Sequence, residues 1–118
     1  MIRFGALEAG GTKMVLSLLS ETGDLLERVS IPTKPPAETM PEMIDFFKAR
    51  DIAALGIGCF GPLDLNPASP TYGYITSTPK LAWRSCPIAP AFHEALGVPV
   101  SFHPAPLPEA VQAQYFRS

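Results

Sequence analysis

The chain has 118 residues, which is enough for one domain with a hydrophobic core but short for an enzyme that closes two lobes around a substrate. Nine basic residues stand against eleven acidic ones, giving a formal net charge of −2 at pH 7 without a long run of either sign. The composition therefore excludes the basic surface typical of proteins that bind nucleic acid or anionic membranes, and it favours a small molecule or another protein as the partner.

Cysteine and histidine spacing predicts no metal or redox site. Cys59, Cys86, His93 and His103 fit no zinc pattern, so we expect no zinc ligands in this chain. The N-terminus lacks a basic segment followed by a long apolar stretch, and no apolar run approaches the length of a membrane span. We therefore expect a cytoplasmic location, with neither nucleic acid nor membrane as a partner.

Three antiparallel strands are predicted at the start of the chain. The apolar runs 2–9 and 14–19 are separated only by Gly-Gly-Thr-Lys, which indicates a hairpin of two largely buried strands. Turn residues at 21–24 then precede a third run, 25–31, whose apolar residues alternate imperfectly with polar ones. That imperfect alternation is typical of an edge strand.

A helix and a buried strand are predicted next. After the proline-rich linker 32–36, the residues Met40, Met43, Ile44 and Phe47 form one apolar helical stripe. Pro41 is expected to lie in the first turn of this helix, where proline is tolerated. The continuous apolar run 52–58 follows the helix and predicts a buried strand reached by a right-handed crossover, so the sheet is expected to be mixed.

The rest of the chain has weaker patterns. Residues 62–90 are rich in Pro, Ser, Thr and Gly without a period, which predicts an ordered excursion over the surface and no packed element. Residues 88–96 are predicted to form a short helix ending at Gly97, followed by a last strand over 98–102. Beyond Pro104, prolines alternate with Ala and Leu before a helix-compatible segment, 109–116.

The Gly-Gly-Thr-Lys turn, residues 10–13, is the main candidate for chemistry. Glycines let backbone N–H groups approach an oxyanion closely, while threonine adds a hydroxyl and lysine a charge. The patterns of the P-loop and of the dinucleotide-binding loop are both absent. Taken alone, the turn is therefore better explained as a plain hairpin turn than as a phosphate site.

Three segments together resemble a known family. EAGGTK at 8–13, LGIGCFGPLD at 55–64 and TYGYITSTPKLAWR at 71–84 resemble the ROK sugar kinases, and within them the bacterial fructokinase branch. The resemblance covers about residues 1–100. It implies an α/β fold of the ribonuclease H-like or actin-like ATPase class, with a mixed five-stranded sheet and helices. It also implies the N-terminal part of an enzyme that uses ATP and Mg²⁺ to phosphorylate a hexose, expected to be fructose.

The resemblance also implies site residues. It assigns nucleotide binding to Gly10, Gly11, Thr12 and Lys13, and metal binding to Glu8, for which capping of the turn is the alternative. Substrate binding is assigned to Gly61, Pro62, Thr78, Pro79 and Lys80. The alternative for the glycine and proline residues is that they only shape a loop. For Lys80 and Trp83, a solvated charge and a core anchor are the competing interpretations.

The end of the chain departs from the family pattern. The segment that should carry the catalytic carboxylate, D-[VT]-N-A-A-A-x-G-E, is replaced by SFHPAPLPEAVQAQYFRS, and no aspartate follows Asp64. We therefore assign no catalytic residue and expect the isolated chain to be inactive. The predicted organisation is an N-terminal kinase lobe, 1–102, and a divergent tail, 103–118.

Two origins of this tail fit the sequence. The chain is either a truncated or frame-shifted fructokinase, or a reduced protein that kept its loops as a non-catalytic sugar-binding or interaction module. In both cases only the apolar residues of the tail are left to cover one face of the sheet, which predicts a homodimer.

Overall fold

Five strands form one mixed sheet in the computed structural model, which describes residues 2–59, 64–76 and 81–104. Their order across the sheet is β3-β2-β1-β4-β5. The first three strands pair antiparallel, whereas β4 pairs parallel with β1 and β5 pairs parallel with β4. The mixed five-stranded sheet and the edge position of β3 are thus confirmed. The strands are β1 Arg3–Ala9, β2 Lys13–Ser20, β3 Leu25–Pro32, β4 Ala54–Cys59 and β5 Val100–Pro104.

The β1–β2 hairpin is buried on both faces, as its continuous apolar pattern predicts. Leu7 pairs with Leu16 on the face that carries the main core, and both side chains are at most 1% exposed. Ala6 pairs with Ser17 on the second face, and these two are equally buried. Strand residues alternate between faces, so a hairpin without polar alternation has to be covered on both sides.

Helix α1, Pro36–Ala49, lies across the sheet through the predicted stripe. Met40, Met43 and Phe47 are buried in the core. The expectation for Pro41 is wrong, because the helix begins at Pro36 and Pro41 is therefore its sixth residue. The earlier start is possible because proline suits the first helical position and the Pro35 carbonyl accepts the N–H groups of residues 38 and 39.

Helix α2, Ile88–Leu96, packs beside α1 on the same face of the sheet. The rings of Phe47 and Phe92 meet edge to face, with centroids 6.1 Å apart. Gly97 ends α2 in the left-handed conformation, with φ of 68° and its N–H bonded to the His93 carbonyl. Neither described helix is long and apolar enough to cross a bilayer.

The excursion between β4 and α2 is more deeply packed than its composition predicts. Ile75 and Trp83 are at most 1% exposed, and both belong to the main core. Trp83 ends a short 3₁₀ helix, Leu81–Trp83. Two backbone hydrogen bonds, from Ile75 to the Cys86 carbonyl and from Ser85 to the Ile75 carbonyl, close this part of the loop. Isolated apolar residues in an aperiodic segment can thus enter a core without leaving a periodic signal.

An ion pair joins the end of α1 to the edge strand. Arg50 binds both carboxylate oxygens of Glu27, at 2.8 and 2.6 Å, and donates a third hydrogen bond to the Phe46 carbonyl. Its guanidinium also lies 3.7 Å from the centroid of the Phe46 ring. The hydrogen bonds from Arg50 lower the pKa of Glu27 below its ordinary value of 4.5.

This ion pair predicts a pH-dependent stability difference. A depressed folded-state pKa means that the stabilisation is complete above the unfolded-state value and is lost as the pH falls through the folded-state value. Glu27→Gln should therefore lower the midpoint of urea unfolding at neutral pH, and the difference from the wild type should shrink as the pH falls below 4.5. A difference that grows on acidification would contradict this role of Glu27.

Candidate functional site

The Gly-Gly-Thr-Lys turn joins β1 to β2 at the end of the sheet where β1 and β4 both terminate. Ala9 and Met14 form the last residue pair of the hairpin, and the Gly10 N–H donates to the Lys13 carbonyl at 3.0 Å. A Cβ atom on Gly10 would lie 2.6 Å from that carbonyl oxygen. This is closer than real Cβ contacts, so the turn requires glycine at this position.

Thr33, in the linker between β3 and α1, holds the turn from one side. Its hydroxyl donates to the Gly10 carbonyl at 2.8 Å, and its N–H donates to the Thr12 carbonyl at 3.0 Å. The N–H groups of Gly11 and Thr12, in contrast, donate to no other residue that the structure describes. The carbonyl groups of Gly10, Thr12 and Lys13 are therefore occupied by the protein, and two adjacent N–H groups are available, as an anion site needs. The side chains of Thr12 and Lys13 are exposed beside them.

Glu8 is half-buried on β1, two residues before the turn, and pairs in register with Val15 and Gly58. Within the described ranges its carboxylate accepts no hydrogen bond from the turn, as capping would require. Among the described residues, no group of three or more His, Cys, Asp or Glu side chains could hold a metal ion. One carboxylate nevertheless fits Mg²⁺, which is commonly held by one or two carboxylates together with substrate phosphates and water.

The residues predicted to bind sugar, Gly61, Pro62, Thr78, Pro79 and Lys80, lie outside the described residues. The strand that precedes Gly61 and Pro62 ends close to the glycine turn. Cys59, the last residue of β4, pairs in register with Ala9, the residue directly before the turn. Ligands of open α/β sheets bind at this end of parallel strands. The two predicted parts of the site therefore begin on adjacent strands.

Asp64 closes the loop between the two sugar-side segments. Its carboxylate accepts hydrogen bonds from the Asn66 N–H at 3.0 Å and the Thr71 hydroxyl at 2.6 Å. Its backbone bonds to Tyr74 and Gly73 at 3.0 and 2.9 Å. Hydrogen bonds from Ser69, Thr71 and the Asn66 backbone lower the pKa of this carboxyl. Sequence analysis gave Asp64 no place in the site, although Asp-x-Asn and Ser-x-Thr are patterns of local turns.

The Asp64 carboxylate predicts a local effect on the order of this loop. In Asp64→Ala, the Asn66 and Gly73 amides should exchange with solvent at least about tenfold faster, because the loop loses its charged acceptor. Hydrogen exchange followed by NMR measures this. Asp24→Ala is the matched control, since Asp24 accepts a threonine hydroxyl at 2.9 Å in the β2–β3 turn. Equal protection of residues 64–76 in both variants would contradict the prediction.

Trp83 is a core anchor, one of the interpretations that its sequence left open beside contact with a ligand. Its side chain is 1% exposed, and its indole N–H donates to the Lys34 carbonyl at 2.9 Å. Lys34 directly follows Thr33, so the 3₁₀ helix and the glycine turn are both bonded to one linker. Sequence analysis identified the linker but not these hydrogen bonds, because neither Thr33 nor Lys34 belongs to a recognisable motif.

A cavity of about 490 Å³ lies at the opposite end of the sheet. Phe4, Leu19, Ala54 and Ser101 line it together with the β2–β3 turn, and these side chains belong to the second face of the sheet. Because Phe4 and Ala9 lie five residues apart on an extended strand, the cavity is remote from the glycine turn. We do not assign the predicted phosphate site to it.

Comparison with known proteins agrees with this geometry. The fructokinase of Lactococcus lactis subsp. cremoris is 43% identical over 101 residues, covering 86% of this chain and 35% of the relative. The fructokinase of Pediococcus pentosaceus is 52% identical over 79 residues, covering 67% of this chain and 27% of the relative. The chain thus spans about a third of the length of these curated relatives.

Solved structures of ROK kinases share the fold. The ROK hexokinase of Thermus thermophilus aligns with a TM-score of 0.63 at 24% identity, covering 87% of this chain and 35% of that chain. A ROK family glucokinase from Streptomyces griseus, solved in complex with glucose and AMPPNP, gives 0.68 at 22% identity, covering 96% of this chain and 36% of that one. The actin-like ATPase fold is therefore confirmed. A sequence model of the ROK family matches residues 4–105, and the chain belongs to that family.

Proposed function

We propose that this chain provides the phosphate-binding turn and part of the hexose side of an ATP-dependent fructokinase, which transfers the γ-phosphoryl group of ATP to fructose. The observation that carries the proposal is the glycine turn, in which the carbonyls of Gly10, Thr12 and Lys13 are bonded within the protein while the N–H groups of Gly11 and Thr12 have no partner among the described residues. The fructokinase relatives support the choice of reaction and sugar.

Each residue of the turn has a role in this proposal. The N–H groups of Gly11 and Thr12 bind phosphate oxygens, the Thr12 hydroxyl adds a donor, and Lys13 neutralises charge. Glu8 would hold Mg²⁺ together with the phosphates. When bound, the metal ion would offset negative charge on the transferring phosphoryl group. Gly10 is needed for the shape of the turn, because a Cβ there would lie 2.6 Å from the Lys13 carbonyl oxygen.

The sugar side remains assigned by resemblance. We propose that Gly61, Pro62, Thr78, Pro79 and Lys80 contact the hexose. Support comes from the position of their neighbours, since β4 ends beside the turn and Asp64 holds the intervening loop closed. A group that accepts the proton of the sugar hydroxyl is also needed for phosphoryl transfer, and we assign no residue of this chain to that role.

We further propose a cytoplasmic homodimer. The cavity on the second face of the sheet is lined by apolar Phe4, Leu19 and Ala54, and apolar recesses of this kind suit a protein partner. Light scattering across a concentration series should show the mass of a dimer. A constant monomer mass at high concentration would contradict the proposed homodimer.

Titration with Mg²⁺-tripolyphosphate and with Mg²⁺-ATP, followed by the backbone amide resonances, tests the nucleotide role. Saturable shifts are expected at Gly11, Thr12 and Lys13. The remote turn 21–24 should not respond, and it serves as the internal control. Lys13→Met should weaken the affinity for tripolyphosphate about tenfold, because one charge-assisted contact is lost. If the amide resonances of Gly11, Thr12 and Lys13 do not shift at millimolar ligand, the proposed nucleotide role is wrong.

A further inference from the structure

The linker between β3 and α1 connects the glycine turn to a core residue that lies far from it in sequence. At its start, Thr33 bonds the carbonyls of Gly10 and Thr12 in the glycine turn. At the next residue, the Lys34 carbonyl accepts the Trp83 indole N–H at 2.9 Å and the Thr39 hydroxyl at 3.0 Å. The Lys34 N–H donates in turn to the Thr39 oxygen at 2.9 Å. Thr33 and Lys34 are thus each held by at least two hydrogen bonds.

We propose that Thr33 and Lys34 form a strut that fixes the glycine turn to the core at Trp83, with Thr33 and Trp83 as positioning residues for phosphate binding by the turn. The inference rests on the proposed function, which assigns phosphate to the turn. It goes beyond that function because neither Thr33 nor Trp83 is expected to touch a ligand.

The Trp83 end of the strut is fixed by the core. The indole ring is 1% exposed and packs within the main cluster, so its N–H needs an acceptor inside the protein. The backbone around Trp83 is held as well, because Ile75 exchanges hydrogen bonds with Ser85 and Cys86. Trp83 is therefore a fixed point to which the linker is bonded.

The glycine turn itself does not enter the core. Gly11 is half-buried and Thr12 and Lys13 are exposed, so packing restrains the turn only at its two ends, through the buried Ala9 and Met14. Two hydrogen bonds from Thr33 restrain the turn from outside the hairpin. Small displacements of binding groups are costly for phosphoryl transfer. A strut that connects the turn to the core limits such displacements.

Two variants break the strut at different ends without a large change of shape. Thr33→Val removes the hydroxyl that binds the Gly10 carbonyl, and Trp83→Phe removes the indole N–H while keeping an aromatic ring. The matched controls are Thr22→Val, which removes a hydroxyl bonded to Asp24 in the remote turn, and Phe92→Leu, which perturbs the core away from the linker. All four are made in the full chain.

The first readout is structural and needs no ligand. Trp83→Phe should shift the amide resonances of residues 10–13, although the hydrogen bond that it removes ends at Lys34. Phe92→Leu should leave them in place. If Trp83→Phe moves these resonances no more than Phe92→Leu does, the strut is overturned. If Trp83→Phe does not fold, Thr33→Val tests the same connection. It should shift the indole N–H resonance of Trp83, and an unchanged resonance would overturn the strut.

The second readout is the affinity for Mg²⁺-ATP. Thr33→Val and Trp83→Phe should each weaken this affinity up to about tenfold. In the double variant the affinity should fall by less than the product of the two single factors, because both substitutions break the same connection. Equal affinities in all variants would overturn the positioning role. If the wild type binds neither Mg²⁺-ATP nor Mg²⁺-tripolyphosphate while the resonances still respond, the proposed function fails and the strut stands as a connection within the fold.

Discussion

Replacement of Gly10 by alanine should lower the free energy of unfolding by about 2–3 kcal/mol and abolish binding of Mg²⁺-tripolyphosphate to the turn. The added Cβ would lie 2.6 Å from the Lys13 carbonyl oxygen. That oxygen belongs to the backbone and accepts the Gly10 N–H, so it cannot move aside without opening the turn. Opening the turn also displaces the Gly10 carbonyl from Thr33 and the N–H groups of the next two residues.

Gly97→Ala is the matched control for this variant. Gly97 ends α2 with φ of 68°, and a Cβ there would meet no atom within 4 Å. Its cost is therefore the left-handed backbone alone, about 1 kcal/mol. Urea unfolding gives both stabilities, and the titration described above gives the affinities. Gly10→Ala with full affinity for tripolyphosphate would refute the phosphate role of the turn, whatever its stability.

The hairpin, both helices and the parallel strands were predictable because each has a strong local signal. Apolar runs of strand length on either side of a glycine pair indicate a hairpin, and the stripe at Met40, Met43 and Phe47 indicates a helix. The start of α1 was not predictable from that stripe. Its first turn consists of the linker prolines and polar residues, which carry no apolar period.

The glycine turn was found from the sequence, but its support was not. Thr33 lies 23 residues from Gly10, and Trp83 lies 49 residues from Lys34. Long-range hydrogen bonds to backbone carbonyls leave no residue pattern, since any residue can offer the carbonyl. The buried loop residue Ile75 was missed for a related reason, because a single apolar residue among turn formers has no period to detect.

Phe47→Ala should cost about 3–5 kcal/mol of stability, the largest effect expected from a single side chain of α1. Phe47 is fully buried, and its ring packs between the neighbouring Phe46 and Phe92 of α2. It also lies directly under β1, since a Cβ on Gly5 would come within 2.9 Å of its ring. Removing the ring leaves a cavity between helix and sheet that the glycine at position 5 cannot fill.

Phe46→Ala separates the effect of burial from the loss of an aromatic ring in the same helix. Phe46 is only half-buried, and its main partner is the Arg50 guanidinium, so its removal should cost about 1 kcal/mol. Urea unfolding should therefore give a much lower free energy of unfolding for Phe47→Ala than for Phe46→Ala. Equal losses would mean that α1 is not packed on β1 as described. In the folded fraction of either variant, tripolyphosphate should still bind, because the turn is restrained by Thr33 and not by the aromatic residues of α1.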